Sequence, residues 1–121
     1  MAEHNNLGQW GEQKATEYLE DNGYGIMARD WRYGRRDIDI VAHKGGTVVF
    51  VEVKTRRDNR FAEPEQAVDR QKIRSLSAAA EAFIRVCGID AEVRFDIVTV
   101  TGGPGRECRI NHIEDAFMPI Q

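Results

Sequence analysis

Arg36-Asp37-Ile38-Asp39-Ile40-Val41-Ala42-His43, Lys44-Gly45-Gly46 and Thr47-Val48-Val49-Phe50-Val51-Glu52-Val53-Lys54-Thr55 decide the fold of this 121-residue chain. Two runs rich in β-branched residues, separated by Gly-Gly, predict two strands joined by a tight hairpin turn. Working outward towards the N-terminus, Tyr24 to Trp31 reads as extended. Leu7 to Asn22 reads as a helix, with Leu7, Gly11, Ala15, Tyr18 and Leu19 at helical spacing and Asn22-Gly23 as its terminator. Towards the C-terminus, Arg56 to Glu63 is polar and turn-like, and Pro64 is expected to open a long helix running to Cys87. Its apolar stripe is Ile73, Leu76, Ala80, Phe83, Ile84 and Cys87, and Gly88 ends it. Val93 to Val100 is a fourth strand. Thr101 to Arg106 is a glycine-rich loop, and Arg109 to Phe117 reads as a short strand followed by a helical turn.

The order helix, three strands, helix, strand, with a short C-terminal strand and helical turn, predicts an α/β domain. Its mixed central sheet is expected to be flanked by helices on both faces, because the central strands are apolar on both sides. The length leaves room for one domain, residues 1–121, and excludes a two-domain enzyme. With 41% hydrophobic and 31% charged residues and only three prolines, the chain reads as globular and soluble rather than disordered or fibrous. No window approaches the roughly 18 apolar residues of a membrane span, and the first residues lack the basic start and apolar run of a signal peptide. A cytoplasmic location is the expectation. Cys87 and Cys108 have no Cys or His at metal-ligand spacing, so they read as ordinary buried thiols.

The net charge of -3 speaks against a nucleic-acid partner until its distribution is considered. Twelve of the seventeen Lys and Arg lie between Arg29 and Arg74, against eight of the twenty acids, so the middle of the chain is basic and the ends are acidic. Such a segment is either a solvated surface or a footprint for phosphates.

If Gly45-Gly46 forms a two-residue turn, Lys44 pairs with Thr47, Asp39 falls opposite Glu52, and Asp37 falls opposite Lys54. Strict alternation then projects Asp37, Asp39, Glu52 and Lys54 from one face with Val41, Val48 and Phe50, while Ile38, Ile40, Val49, Val51 and Val53 line the other. Two carboxylates about 5 Å apart at an effective dielectric of ~20 repel by roughly 3 kcal/mol. A shared proton, Lys54 or a divalent cation offsets that repulsion, and an oxygen-ligand pair beside a lysine suits Mg²⁺ or Mn²⁺. The other reading is a solvent-facing hairpin whose acids find Arg35, Arg36 or Arg56. Glu12 is also open to two readings. Gly8, Ala15 and Leu19 share its stripe, which turns it towards the sheet, while an exposed acid in the first helical turns would satisfy the helix dipole.

Asp39, twelve residues and then Glu52-Val53-Lys54 resemble the D…(D/E)-x-K signature of restriction-endonuclease-like nucleases. With Gly8-Gln9-Trp10-Gly11-Glu12 and Ala15, Asp37 to Ala42, Val49 to Arg56, Ala67-Val68 with Lys72, and Phe95 to Val98, the chain resembles the bacterial YraN family of endonuclease-like proteins from about Leu7 to Phe117. That resemblance implies a restriction-endonuclease-like core, similar to archaeal Holliday junction resolvases. It implies that Asp39, Glu52 and the Val53 carbonyl bind the metal, that Lys54 positions or activates the attacking water, and that Glu12 matches the first-helix acid of the resolvases. Two departures stand out: Asp37 where the family usually has Glu, and Arg36 where it usually has Gly.

The expectation is a Mg²⁺- or Mn²⁺-dependent nuclease acting on DNA, branched or single-stranded substrates included, with links to repair or recombination. Arg32, Arg35, Arg56, Arg57, Arg60, Lys72 and Arg74 are the candidate backbone contacts. A DNA-binding accessory protein with the same fold and no turnover is the alternative, and a plain interaction domain is the third. A homodimer is expected by analogy with the resolvases.

Overall fold

A computed structural model describes residues 3–58 and 69–120. The elements are α1 (Glu3–Asp21), β1 (Gly25–Tyr33), β2 (Arg36–Lys44), β3 (Thr47–Arg56), α2 (Arg70–Cys87), β4 (Glu92–Thr101) and β5 (Arg109–Ile113). They form one five-stranded mixed sheet in the order β1-β2-β3-β4-β5. Every neighbouring pair is antiparallel except β3 with β4, which are parallel and joined across α2. A parallel pair requires such a crossover, because a tight turn returns the chain antiparallel.

The hairpin forms as expected, with Lys44 paired to Thr47 and Gly45 and Gly46 at φ 58° and 83°. Both turn positions need the left-handed region, which glycine enters without a Cβ penalty. Alternation along β3 then separates two cores. Val49, Val51 and half-buried Val53 join Ile40, Ala42, Val98 and Val100 under Ala15 and Leu19 of α1. Val48 and Phe50 join Ile38, Val41 and Phe95 under Ala79, Ala80 and Phe83 of α2. Each Val, Leu or Ile so buried contributes roughly 1.5–3 kcal/mol. No helix among the described residues is long and apolar enough to cross a membrane.

Three expectations are corrected. The second helix starts at Arg70, where the Asp69 carboxylate caps it by accepting from Lys72 N at 2.9 Å; the expected start at Pro64 lies outside the described residues. The segment after β5 makes a turn instead of a helical turn, with Asp115 at φ 53°. Asp96 causes this, since its carboxylate accepts from Asp115 N at 3.0 Å and its strand neighbour Phe95 accepts from Ala116 N at 2.7 Å. Cys87 is exposed at the end of α2, and Cys108 is half-buried against the α1 core.

Asp96 also organises a polar cluster in the sheet. Fully buried, it takes two hydrogen bonds from Arg94 (Nε 2.8 Å, Nη2 2.9 Å) and sits 2.7 Å from His112 Nε2. His112 Nδ1 lies 3.0 Å from the Tyr18 hydroxyl, and Arg94 donates to the Tyr24 hydroxyl at 2.8 Å. The cluster therefore joins α1, β4 and β5.

Candidate metal and nucleic-acid site

Asp39 is the residue at which the sheet opens. The β2–β3 ladder stops at Ile40–Val51, and the β1–β2 ladder steps from Arg29–Ile40 to Trp31–Ile38, so Asp39 pairs in neither. Its neighbour across β1, Asp30, has φ 48°, a left-handed conformation that a short polar side chain tolerates. This break corrects the expected faces. Ile38 turns to the α2 core instead of joining Ile40, and Asp37 lies across from Arg32 instead of opposite Lys54.

The Asp39 carboxylate fills the place of the missing partner strand, accepting from Val53 N at 2.8 Å. A strand residue aims its N–H and C=O to the same side, so the Val53 carbonyl faces the same opening. Glu52 comes from the α2 side of β3 and is 95% buried, with Lys54 Nζ at 3.4 Å and Lys72 Nζ at 3.7 Å from its Oε2. The two carboxyls lie close enough for Glu52 to act on Asp39. Burial, then the charge of Glu52, push Asp39 up to about 8, against the pull of the Val53 N–H. Neither acid pairs with Arg35, Arg36 or Arg56, which excludes the solvent-facing hairpin.

Beyond Asp39 lies a cleft of about 600 Å³ between α1 and the sheet. Asp37, Asp39, Val53 and Thr55 line it from β2 and β3, Arg29 and Asp30 from β1, and Gly8, Gln9 and Glu12 from α1. Glu12 does face the sheet, its Oε1 3.5 Å from Arg29 Nη2. Burial raises its carboxyl above the usual range, with Arg29 opposing the shift and Asp30 and Asp37 adding to it. Gly11 lets α1 come this close, since a Cβ there would overlap the Thr55 side chain.

The basic residues divide. Lys72 is drawn to Glu52. Arg32 is 72% exposed and pairs with Asp30 at 3.4 Å, while Arg35 is exposed in the turn between β1 and β2. Arg56 is half-buried and its Nε is sealed from solvent without a hydrogen-bond partner among the described residues, as is the Thr99 hydroxyl on the strand beside it. Arg57 is exposed, beside Arg106 and Arg109. Arg74 is not brought to the cleft but to a groove beside Pro119 and Ile120. Arg60 lies outside the described residues.

A model of the uncharacterised protein family UPF0102 matches residues 11–100. The chain belongs to UPF0102. It is similar to UPF0102 proteins of Bacteroides thetaiotaomicron (52% identical over 119 residues, 98% of both chains), Phocaeicola vulgatus (45% over 119 residues, 98% of both) and Flavobacterium psychrophilum (41% over 117 residues, 97% of this chain and 98% of that one). The UPF0102 match takes in Glu12, Asp39, Glu52, Lys54 and Lys72. In this UPF0102 protein, sequence reasoning missed Arg29 and Asp30 as part of the cleft. Both owe their place to the packing of α1 on β1, for which strand periodicity carries no signal.

Proposed function

We propose that this protein is a divalent-metal-dependent nuclease hydrolysing DNA phosphodiester bonds. The observation that carries the reading is the meeting of the Asp39 and Glu52 carboxyls in the gap between β2 and β3, with two lysine ammoniums against Glu52. The D…(D/E)-x-K spacing and the likeness to endonuclease-like proteins support it.

The donor set suits Mg²⁺ or Mn²⁺. Among the described residues no three His, Cys, Asp or Glu gather closely enough to hold an ion. Mg²⁺ is commonly held by only one or two carboxylates, keeping its remaining places for water and phosphate. Asp39, Glu52 and the Val53 carbonyl are the residues to hold it. A bound Mg²⁺ or Mn²⁺ supplies a Lewis acid for the phosphate and a water of lowered pKa.

The chain's own groups do the rest. Lys54 and Lys72 balance negative charge gathering on the phosphate. Glu12, with its raised proton affinity and its place on the cleft wall, takes or returns a proton. Without cations, the acids of the cleft repel a phosphate, so a bound metal is expected to strengthen DNA binding there.

The test incubates the protein with branched, nicked and single-stranded DNA plus Mn²⁺. Cutting is expected, with Asp39→Ala slower by at least ~100-fold, a loss of about 2.7 kcal/mol in transition-state stabilisation. Uncut DNA throughout, or Asp39→Ala cutting like wild type, overturns the reading. Calorimetric titration with Mn²⁺ provides a readout independent of turnover: the heat is expected to vanish in Glu52→Gln. DNA binding indifferent to Asp39 and Glu52, without cutting, would favour the accessory protein.

A further inference from the structure

We propose that the tip of the β1–β2 hairpin is a stacking platform for an unpaired base, so that the substrate carries a single-stranded stretch next to the phosphate at the cleft. The inference rests on the nucleic-acid part of the function proposed above. Trp31 and Tyr33 project from the edge strand with ring planes 2° apart and centroids separated by 6.3 Å. The inner ring is anchored: Trp31 meets Phe83 edge-on at 5.2 Å, and Phe83 meets Phe50 at 5.9 Å, within the α2 core. The outer ring is 42% exposed, and Arg85 Nη2 holds its hydroxyl at 3.4 Å. A rigid aromatic face open to solvent is what a base needs in order to stack, whatever its identity.

The surroundings are cationic. Arg36 is the cross-strand neighbour of Tyr33, Arg35 forms the turn, and both are exposed with no acid partner among the described residues. Position 36 lies three residues from Asp39 along β2, about 10 Å at strand rise. Tyr33 and Trp31 lie on the α2 face and the cleft on the α1 face, so a strand with a base on Tyr33 and a phosphate at the cleft passes round the hairpin tip. In duplex DNA the base faces are stacked on one another, so the platform selects unpaired bases.

Anisotropy titrations in EDTA, where no cutting intervenes, compare a labelled single strand with a blunt duplex. Wild type is expected to prefer the single strand. Tyr33→Leu is expected to weaken single-strand binding roughly 5- to 100-fold while changing duplex binding less than twofold. Tyr33→Phe, which keeps the ring, is expected to stay within twofold on both. Tyr33→Leu binding the single strand like wild type, or losing equally on both DNAs, overturns the inference, as does a wild type without preference. If Asp39-dependent cutting persists while Tyr33→Leu is indifferent, only the platform fails. If the Tyr33 effect stands while no DNA is cut, only the nuclease fails.

Discussion

Asp39 sits where burial in a strand gap and a neighbouring carboxylate act on the same acid, and the effect reaches the stability of the whole chain. Its carboxyl is pushed from 3.8 up to about 8, so between those values the folded protein holds a proton that the unfolded chain releases. Stability from this group is complete below about pH 4 and is lost as pH rises through about 8. Asp39→Asn, which keeps an acceptor for Val53 N, is expected to flatten that slope. In EDTA its advantage over wild type should grow from pH 4 to pH 8, reaching roughly 1–3 kcal/mol. Thermal denaturation at several pH values checks this, and parallel wild-type and variant profiles would contradict it. Mn²⁺ is expected to raise the wild-type Tm at pH 8 and leave the variant unmoved, because a ligand stabilises only the state that binds it. The nearness of Asp39 to Glu52 was legible in the sequence, since the Gly-Gly turn sets the register as far as Ile40–Val51, although the two acids do not pair across the ladder as expected. Their approach from two sides of the sheet was not, because period-two alternation has no term for a residue that drops out of both ladders.

At the scale of elements, the Asp96 cluster carries more than its position on β4 suggests. Burial alone would raise this carboxyl, but hydrogen bonds from His112 and Arg94 outweigh burial and hold it below the usual range. The contribution is therefore present above the ordinary carboxylate range and lost as pH falls below it. Asp96→Ala leaves Arg94 and His112 without their shared anion and frees Asp115 N. It is expected to cost about 3–5 kcal/mol in urea unfolding, with faster amide exchange along β5. A loss under about 1 kcal/mol would show the cluster to be incidental. The strands were legible from their β-branched runs and glycines. The start of α2 was not, because Pro64 and Asp69 are both acceptable helix openers and only the carboxylate hydrogen bond to Lys72 N decides between them. The turn at Asp115 was hidden for a similar reason: it is dictated by Asp96, nineteen residues away in the chain.

Over the whole molecule, the central cations that sequence reasoning grouped together are scattered to different duties. Lys72 neutralises Glu52, Arg74 flanks a groove beside the C-terminal tail, and Arg35 stays in solvent at the hairpin tip. DNA affinity is expected to fall steeply with salt, and Arg35→Ala to lower the log–log slope by about 0.9. Arg74→Ala should leave affinity and slope unchanged; equal effects from both would restore the simple picture of one continuous basic strip. Sequence alone locates the charges but not their faces, which α2 decides when it lies across the sheet. The contact of Gly11 with Thr55 has one more consequence. The gauge between helix and sheet is set by a hydrogen atom where any other residue has carbon. A methyl group at position 11 would act as a shim under α1, lifting the Glu12 wall away from the floor while leaving every acid of the cleft chemically intact.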